Sequence, residues 1–240
     1  MFKFMGRLVA ATLSVCSAPL LAADPLAQAL IAAAPAANPD VIRMATAATA
    51  CAEAMGRPAA KKIAVIDYSR PSNQPRLWVF DVASGAMVYQ ELVAHGRNSG
   101  DNYATSFSNQ ESSRQSSLGL YQTLDTYDGD NGYSLRLQGL EPGINDHAYN
   151  RAIVMHGAPY VSEGFLRKVG RIGRSWGCPA VRREIARPLI DTLKGGQYVF
   201  AYYPDPHWLA TSQYLHCGEQ PKPQQQFIVD VDRWLTASAP

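Results

Sequence analysis

Beyond its first two dozen residues, this 240-residue chain has no run of the ~20 apolar residues that a bilayer span requires. Charge of one sign is also scarce, with 22 Lys and Arg against 20 Asp and Glu. A nucleic-acid partner needs a basic excess or stripe, so that class is disfavoured. Metal-ligand spacing is missing as well: His147, His207 and His216 form no paired-imidazole pattern with an acid. No Gly-rich phosphate loop follows a strand pattern, and no internal repeat is visible. Neither a metal nor another cofactor is expected. Cysteine is sparse too, with four in all, and their positions are informative.

What is present begins at the N-terminus. Lys3 and Arg7 precede an apolar run that ends at Cys16, and small residues lead to Ala22 and Ala23 before Asp24. That order of basic, apolar and small segments describes a secretory signal peptide over residues 1–23. The run is short and broken by Pro19, so the mature chain is expected to be exported to a periplasm or cell envelope without a transmembrane span. Losing Lys3 and Arg7 leaves its basic and acidic residues in balance. Cys16 leaves with the signal, and Cys51, Cys178 and Cys217 remain. An odd count in an exported protein suggests one reactive thiol. If that thiol is Cys178, then Cys51 and Cys217 are free to pair as a disulfide. Two separate buried thiols is the other reading, and the sequence leaves both open.

The mature chain reads as one domain with decorated ends. Residues 24–58 are rich in Ala. Asn38-Pro39-Asp40 supplies an N-cap, a proline for the first helical position and an acid for the first turn. Val41, Met44, Ala48, Cys51 and Met55 then recur at helical steps up to Gly56, predicting a helix that packs through this stripe. Residues 59–204 switch to short strands. Ile63–Tyr68 is one, residues 77–82 and 87–93 form a hairpin around Gly85, and residues 117–121, 135–140 and 152–155 follow, with His156 at the exit of the last. Residues 97–117 are polar and form a long loop of the kind that is usually functional or disordered. Residues 188–194 suit a short helix started by Pro188, and residues 197–203 a final strand. Residues 205–240 form a C-terminal extension with an amphipathic stretch at 227–235. Many short strands with few helices predict a mainly β barrel or sandwich.

The chemistry concentrates in one window. Ile153-Val154-Met155-His156-Gly157-Ala158-Pro159-Tyr160 is followed, after a Gly- and Arg-rich loop, by Gly173-Arg174-Ser175-Trp176-Gly177-Cys178-Pro179. An imidazole that takes the thiol proton turns a mostly protonated cysteine into a nucleophile. Glycine beside the thiol permits backbone conformations in which successive N–H groups face a developing oxyanion. Alone, such a His is usually structural and such a Cys a small buried hydrophobe. His95, in a His-Gly at a strand end, is read as structural.

These residues resemble the L,D-transpeptidase (YkuD-type) catalytic domain, in its murein L,D-transpeptidase branch. That family carries a His-Gly or His-Ser, often with Ala-Pro and an aromatic, roughly twenty residues before a Ser-x-Gly-Cys. Asp67–Ser72, Val93–Gly96, Ala104–Asn109 and Ser116–Leu120 share the look of that branch. Trp176 stands where most of the wider family has His. The resemblance implies a YkuD-like β fold and peptidoglycan stem peptides as donor and acceptor. It also implies a cross-linking reaction through an acyl-thioester on Cys178, with His156 as base. Gly157 is expected to orient the ring through its carbonyl, and the N–H groups of Trp176, Gly177 and Cys178 to form the oxyanion hole. Arg174, Ser175 and Tyr160 are candidate substrate-binding residues, with Arg182 a weaker one. The alternatives are an L,D-carboxypeptidase or another murein cysteine peptidase and, from another class, a non-catalytic peptidoglycan-binding envelope protein.

Overall fold

The computed structural model describes residues 24–218. The expected signal segment 1–23 and the amphipathic stretch 227–235 lie outside them. The chain opens with helices α1 (Pro25–Ala33) and α2 (Pro39–Ala54). Asn38 caps α2 through its side chain, and Pro39 occupies the first turn, where its missing N–H has no partner to lose. The buried face of α2 is rotated from the expected stripe. Ile42, Ala45 and Ala52 are fully buried with Val41, Ala48 and Cys51, whereas Met55 is 55% exposed. Small side chains let the helix lie close to the sheet, and the long Met44 and Met55 are left at its margins.

Eight strands follow. They are β1 (Lys62–Asp67), β2 (Leu77–Asp81), β3 (Met87–Glu91), β4 (Gly119–Gly129), β5 (Gly132–Gly139), β6 (Val154–Ala158), β7 (Ala180–Arg182) and β8 (Tyr198–Tyr202). They form one sheet in the order β3-β2-β1-β8-β4-β5-β6-β7, with β1–β8 and β6–β7 parallel and the other pairs antiparallel. The two outer strands nearly meet. The Ala94 N–H just beyond β3 donates to Ala180 O in β7 at 2.8 Å. The Arg182 guanidinium also donates to both carboxylate oxygens of Glu91, at 2.9 and 2.7 Å. The sheet is therefore a nearly closed barrel with few short helices, and its exposed edges are tied to each other. This seam, rather than a substrate, occupies Arg182.

The core holds Trp78, Phe80, Phe200, Ile63 and Leu120, and it is continuous with Leu30, Ile42 and Ala45 of the N-terminal helices. Two helices sit within the strand order: α3 (Glu163–Val169) and α4 (Arg183–Leu193). α4 starts five residues before Pro188, which lies inside the helix instead of opening it. Its Ala186 packs so closely on β6 that a Cβ at Gly157 would lie 2.8 Å from the Ala186 Cβ. A last helix, α5 (Pro206–Thr211), docks part of the expected C-terminal extension. Buried Glu141 accepts from Leu120 N–H at 2.7 Å and from Trp208 Nε1 at 2.9 Å, joining α5 to the barrel. Cys51 and Cys217 are bonded as a disulfide with a Cα separation of 5.6 Å, which ties α2 to the segment beyond α5. Among the described residues no helix is long and apolar enough to cross a membrane.

Candidate active site

His156 is the middle residue of β6 rather than its exit, and it pairs with Ala180 across the parallel β6–β7 ladder. Cys178 lies two residues before Ala180. It lies in the turn before β7, and its sulfur reaches β6 at Val154, two residues before His156 on the same strand. Both are buried, at 4% and 9% exposure. The His156 Nδ1–H donates to the Gly157 carbonyl at 3.1 Å, which leaves Nε2 as the acceptor. The sulfur rests elsewhere. It receives the Val154 N–H at 3.5 Å and lies 3.7 Å from the Ala152 carbonyl.

Electrostatics fit a neutral resting pair. Burial pushes the Cys178 thiol up, opposed by the Val154 N–H and the positive charge of Arg151. Burial also pushes His156 down, opposed by its bond to Gly157. Desolvation disfavours whichever form carries charge, so the two shifts run in opposite directions. Tyr160, pushed up to about 12 by burial, stays protonated beside them.

A web of side-chain ties shapes the turn that carries Cys178. Ser175 Oγ donates to Cys178 O at 2.6 Å and accepts from Gly177 N–H at 3.1 Å. Ser116 Oγ donates to Gly177 O at 2.9 Å and accepts from Gly96 N–H at 3.1 Å. Gly177 sits at φ +130°, and a Cβ there would lie 2.8 Å from Gln115 O and 2.9 Å from Ile153 Cδ1. Only glycine fits. The long loop 97–117 is thus the scaffold of the nucleophile turn.

The expected residues separate on this geometry. Ser175, expected at the substrate, is occupied inside the turn. Arg174 donates to Gly100 O at 2.9 Å and pairs with Asp101 at 3.2 Å, so its fork is engaged by the loop. Of the three expected oxyanion donors, the Gly177 N–H is taken by Ser175. Among the described residues, those of Trp176 and Cys178 have no partner in another residue. Tyr160 lines a cavity of about 420 Å³ together with His156, Tyr133, Asp130 and Arg183. His95 is fully buried, accepts from Arg76 at 2.6 Å and is held near pKa 3 by burial and that cation, which fits its structural reading. Its carbonyl accepts from Ser175 N–H at 2.9 Å, so it supports the turn from below.

Arg151 escaped the sequence reading. Its guanidinium donates to Ser108 O, Ser117 Oγ, Ser113 Oγ and Gln115 O at 2.6–3.1 Å, pinning the loop beside Cys178. The next residue, Ala152, has φ +52°, a left-handed conformation that β-carbons disfavour; it carries the carbonyl beside the sulfur. Arg151 lies three residues before β6, the strand that carries His156, and no spacing marks it.

The profile of the family described as the L,D-transpeptidase catalytic domain matches residues 33–202. No curated protein matches the chain. Among solved structures, an L,D-transpeptidase from Mycobacterium smegmatis is 14% identical with a TM-score of 0.38, over 60% of this chain and 60% of that one. L,D-transpeptidase 3 from Mycobacterium tuberculosis is 15% identical with a TM-score of 0.38, over 60% and 62%. An L,D-transpeptidase from Xylanimonas cellulosilytica is 16% identical with a TM-score of 0.33, over 64% and 68%. The chain spans about 60% of the length of the first of these.

Proposed function

Because this chain belongs to the L,D-transpeptidase catalytic-domain family, we propose that it cross-links peptidoglycan stem peptides through an acyl-thioester on Cys178. The observation that carries this reading is the approach of the Cys178 sulfur to Val154 N–H on β6, two residues from His156, whose Nδ1 is fixed on the Gly157 carbonyl. In this reading the Cys178 thiol leaves Ala152 O for Nε2 when substrate binds. Catalytic hydrogen bonds that are open without substrate commonly close when it binds.

The steps follow from those positions. His156 Nε2 takes the thiol proton, and the thiolate attacks the carbonyl of the third residue of a donor stem. The oxyanion forms near the free N–H groups of Trp176 and Cys178, each worth about 3 kcal/mol in such holes. The imidazolium then protonates the departing amine of the terminal D-amino acid, leaving the thioester. An acceptor amine attacks that thioester, Nε2 removes its proton, and the thiol is regenerated with a new amide bond. The thioester conserves the acylating power of the broken peptide bond, so no nucleotide is needed. The substrate places this work in the periplasm or cell envelope, in line with the signal-like N-terminus.

The test is purified protein incubated with defined stem tetrapeptides, with and without an acceptor, followed by mass spectrometry. The expected products are a tripeptidyl adduct on Cys178, the released D-amino acid and, with acceptor, a cross-linked dimer. Release without a dimer would make the protein a carboxypeptidase. Unchanged donor and unmodified Cys178 would refute the reading.

A further inference from the structure

Arg151 carries a charge that no carboxylate answers among the described residues. Its two terminal nitrogens donate to Ser108 O at 2.7 Å, Ser117 Oγ at 2.6 Å, Ser113 Oγ at 3.1 Å and Gln115 O at 2.7 Å. All four acceptors are neutral. The arginines on the other flank of the nucleophile turn each have an acid instead: Arg171 and Arg174 pair with Asp101, and Arg182 with Glu91. A half-buried guanidinium bound only by carbonyls and hydroxyls keeps its full charge, and in a low-dielectric surrounding that charge acts more strongly than in water.

The charge abuts the turn. Arg151 Nη2 lies 3.5 Å from the point that a Cβ on Gly177 would occupy, and Cys178 is the next residue. Gln115 O, which accepts from Arg151, lies 2.8 Å from that same point. From its backbone, Arg151 leads directly into Ala152 and Val154, whose carbonyl and N–H flank the sulfur at 3.7 and 3.5 Å. Each terminal nitrogen has given both of its N–H groups to the loop. Arg151 therefore reaches the sulfur through its charge and not through a bond.

The other titratable groups around the turn are neutral at rest or lie outside it. Tyr68, beyond β1, and Tyr160, beyond β6, interact with Cys178 and are pushed up to about 12 by burial. Tyr121 on β4 lies beside Arg151 and is pushed up as well. Glu111 and Arg114 of the long loop share a surface cavity with Arg151, and neither is bonded to it. His156 becomes positive only on taking the thiol proton, and its environment is set by burial and the Gly157 carbonyl, not by Arg151. Among the described residues, Arg151 is the standing cation that acts on Cys178.

We infer that Arg151 is the permanent counter-charge of the Cys178 thiolate, acting across Gly177 while its four bonds to the loop fix its place. It supports the anion that exists between proton transfer to His156 Nε2 and attack on a carbonyl, as an arginine beside a thiol does in general. It does so without opposing the imidazolium formed in the same step. This inference rests on Cys178 being the nucleophile of the stem-peptide reading, and it adds the group that makes a buried anion attainable there.

The experiment is alkylation of Cys178 by iodoacetamide from pH 5 to 10, followed by mass spectrometry, on the native protein, Arg151→Gln, Arg151→Lys and Ser117→Ala. Glutamine removes the charge. Lysine keeps the charge and gives up the planar fork, and alanine at 117 removes one anchor and leaves Arg151 in place. Arg151→Gln is expected to move the midpoint of the rate profile up by about one pH unit and to slow alkylation at pH 7 about tenfold, as loss of an adjacent opposite charge does. Arg151→Lys and Ser117→Ala should stay within about threefold of native with the midpoint unmoved, because a cation remains. An unmoved midpoint in Arg151→Gln, or an equal upward move in Arg151→Lys, would overturn the inference, and the lysine variant decides it alone if the glutamine variant does not fold. Iodoacetamide reaches the thiol whether or not stems are substrates. A moved midpoint in Arg151→Gln together with no acylation of the native protein by stem tetrapeptides would thus uphold the counter-charge and refute the stem-peptide reading.

Discussion

The two groups at the candidate centre are held by different means. His156 stands in the middle of a regular strand, positioned by the β6–β7 ladder and by the packing of α4 on Gly157. Cys178 stands in an irregular turn, positioned by Ser116, Ser175, the loop pinned by Arg151 and a glycine that nothing else replaces. A proton acceptor tolerates small errors in placement, because imidazole can tilt about its bond to Gly157. A nucleophile must meet a carbonyl carbon with its backbone N–H groups aimed at the oxyanion, and a ladder would already have used those N–H groups. Regular structure serves the base, and a braced irregularity serves the nucleophile.

That contrast yields graded expectations for catalysis. The largest effect belongs to Cys178→Ala, which should end acylation while keeping the melting temperature, because the turn is held by Ser175, Ser116 and the backbone rather than by the sulfur. An adduct surviving in this variant, seen by mass spectrometry, would place the nucleophile elsewhere. Next comes His156→Ala, expected to slow acylation by about 10²–10⁴-fold, the range for losing a general base. In the native protein, burial holds His156 below its ordinary value of 6.5 and Cys178 above its ordinary value of 9.0. The acylation rate should therefore fall on acidification only below pH 6.5, as Nε2 becomes protonated, and kcat/KM against pH reads this directly. An acid limb at higher pH would mean that the base is not this imidazole.

A sharper comparison comes from Gly177→Ala. Its added Cβ meets Gln115 O and Ile153 Cδ1 on a backbone that disfavours side chains, at an expected cost of about 3 kcal/mol in stability. Acylation should drop with it, while the His156 ring signals in an NMR spectrum keep their positions, since β6 is supported independently. If those signals move as far as those of the turn, the two supports are one. The smallest effect on catalysis is expected for Cys51→Ser with Cys217→Ser. The bridge closes a separation of 166 residues, so its loss should lower stability by about 3–5 kcal/mol in chemical denaturation. Acylation per folded molecule should stay within twofold, because neither cysteine approaches the turn.

Much of the regular half was legible in the sequence, and little of the irregular half. The apolar runs of β1, β2 and β8 and the hairpin at Gly85 announce themselves, because burial on a sheet demands a hydrophobic pattern. The β4–β5 hairpin was seen only in part. Its outer half is Asp- and Thr-rich and interrupted by a register shift between Thr123 and Thr126, so no alternation marks it. Pro188 misled as a helix start: it lies inside α4, where its missing N–H leaves a first-turn carbonyl without its helical partner. At the centre, His156 and Cys178 could be named as candidates from their sequence window, and Gly157 from the family resemblance. The occupation of Gly177 N–H by Ser175 and the capture of Arg174 by Asp101 could not, because polar partners far apart in sequence leave no periodic trace. Arg151 was hidden for the same reason.

The meeting of the sheet's two edges has a further meaning. β7 is three residues long, begins two residues after Cys178, and is the strand on which Ala94 and Glu91 close the barrel. The turn that carries the sulfur therefore borders the seam at which the two edges of the sheet meet. An open seam would leave His156 and β7 paired through β6, but would strip the turn of the His95 carbonyl that holds Ser175 N–H. Closure of the barrel is in this sense part of the support of the nucleophile.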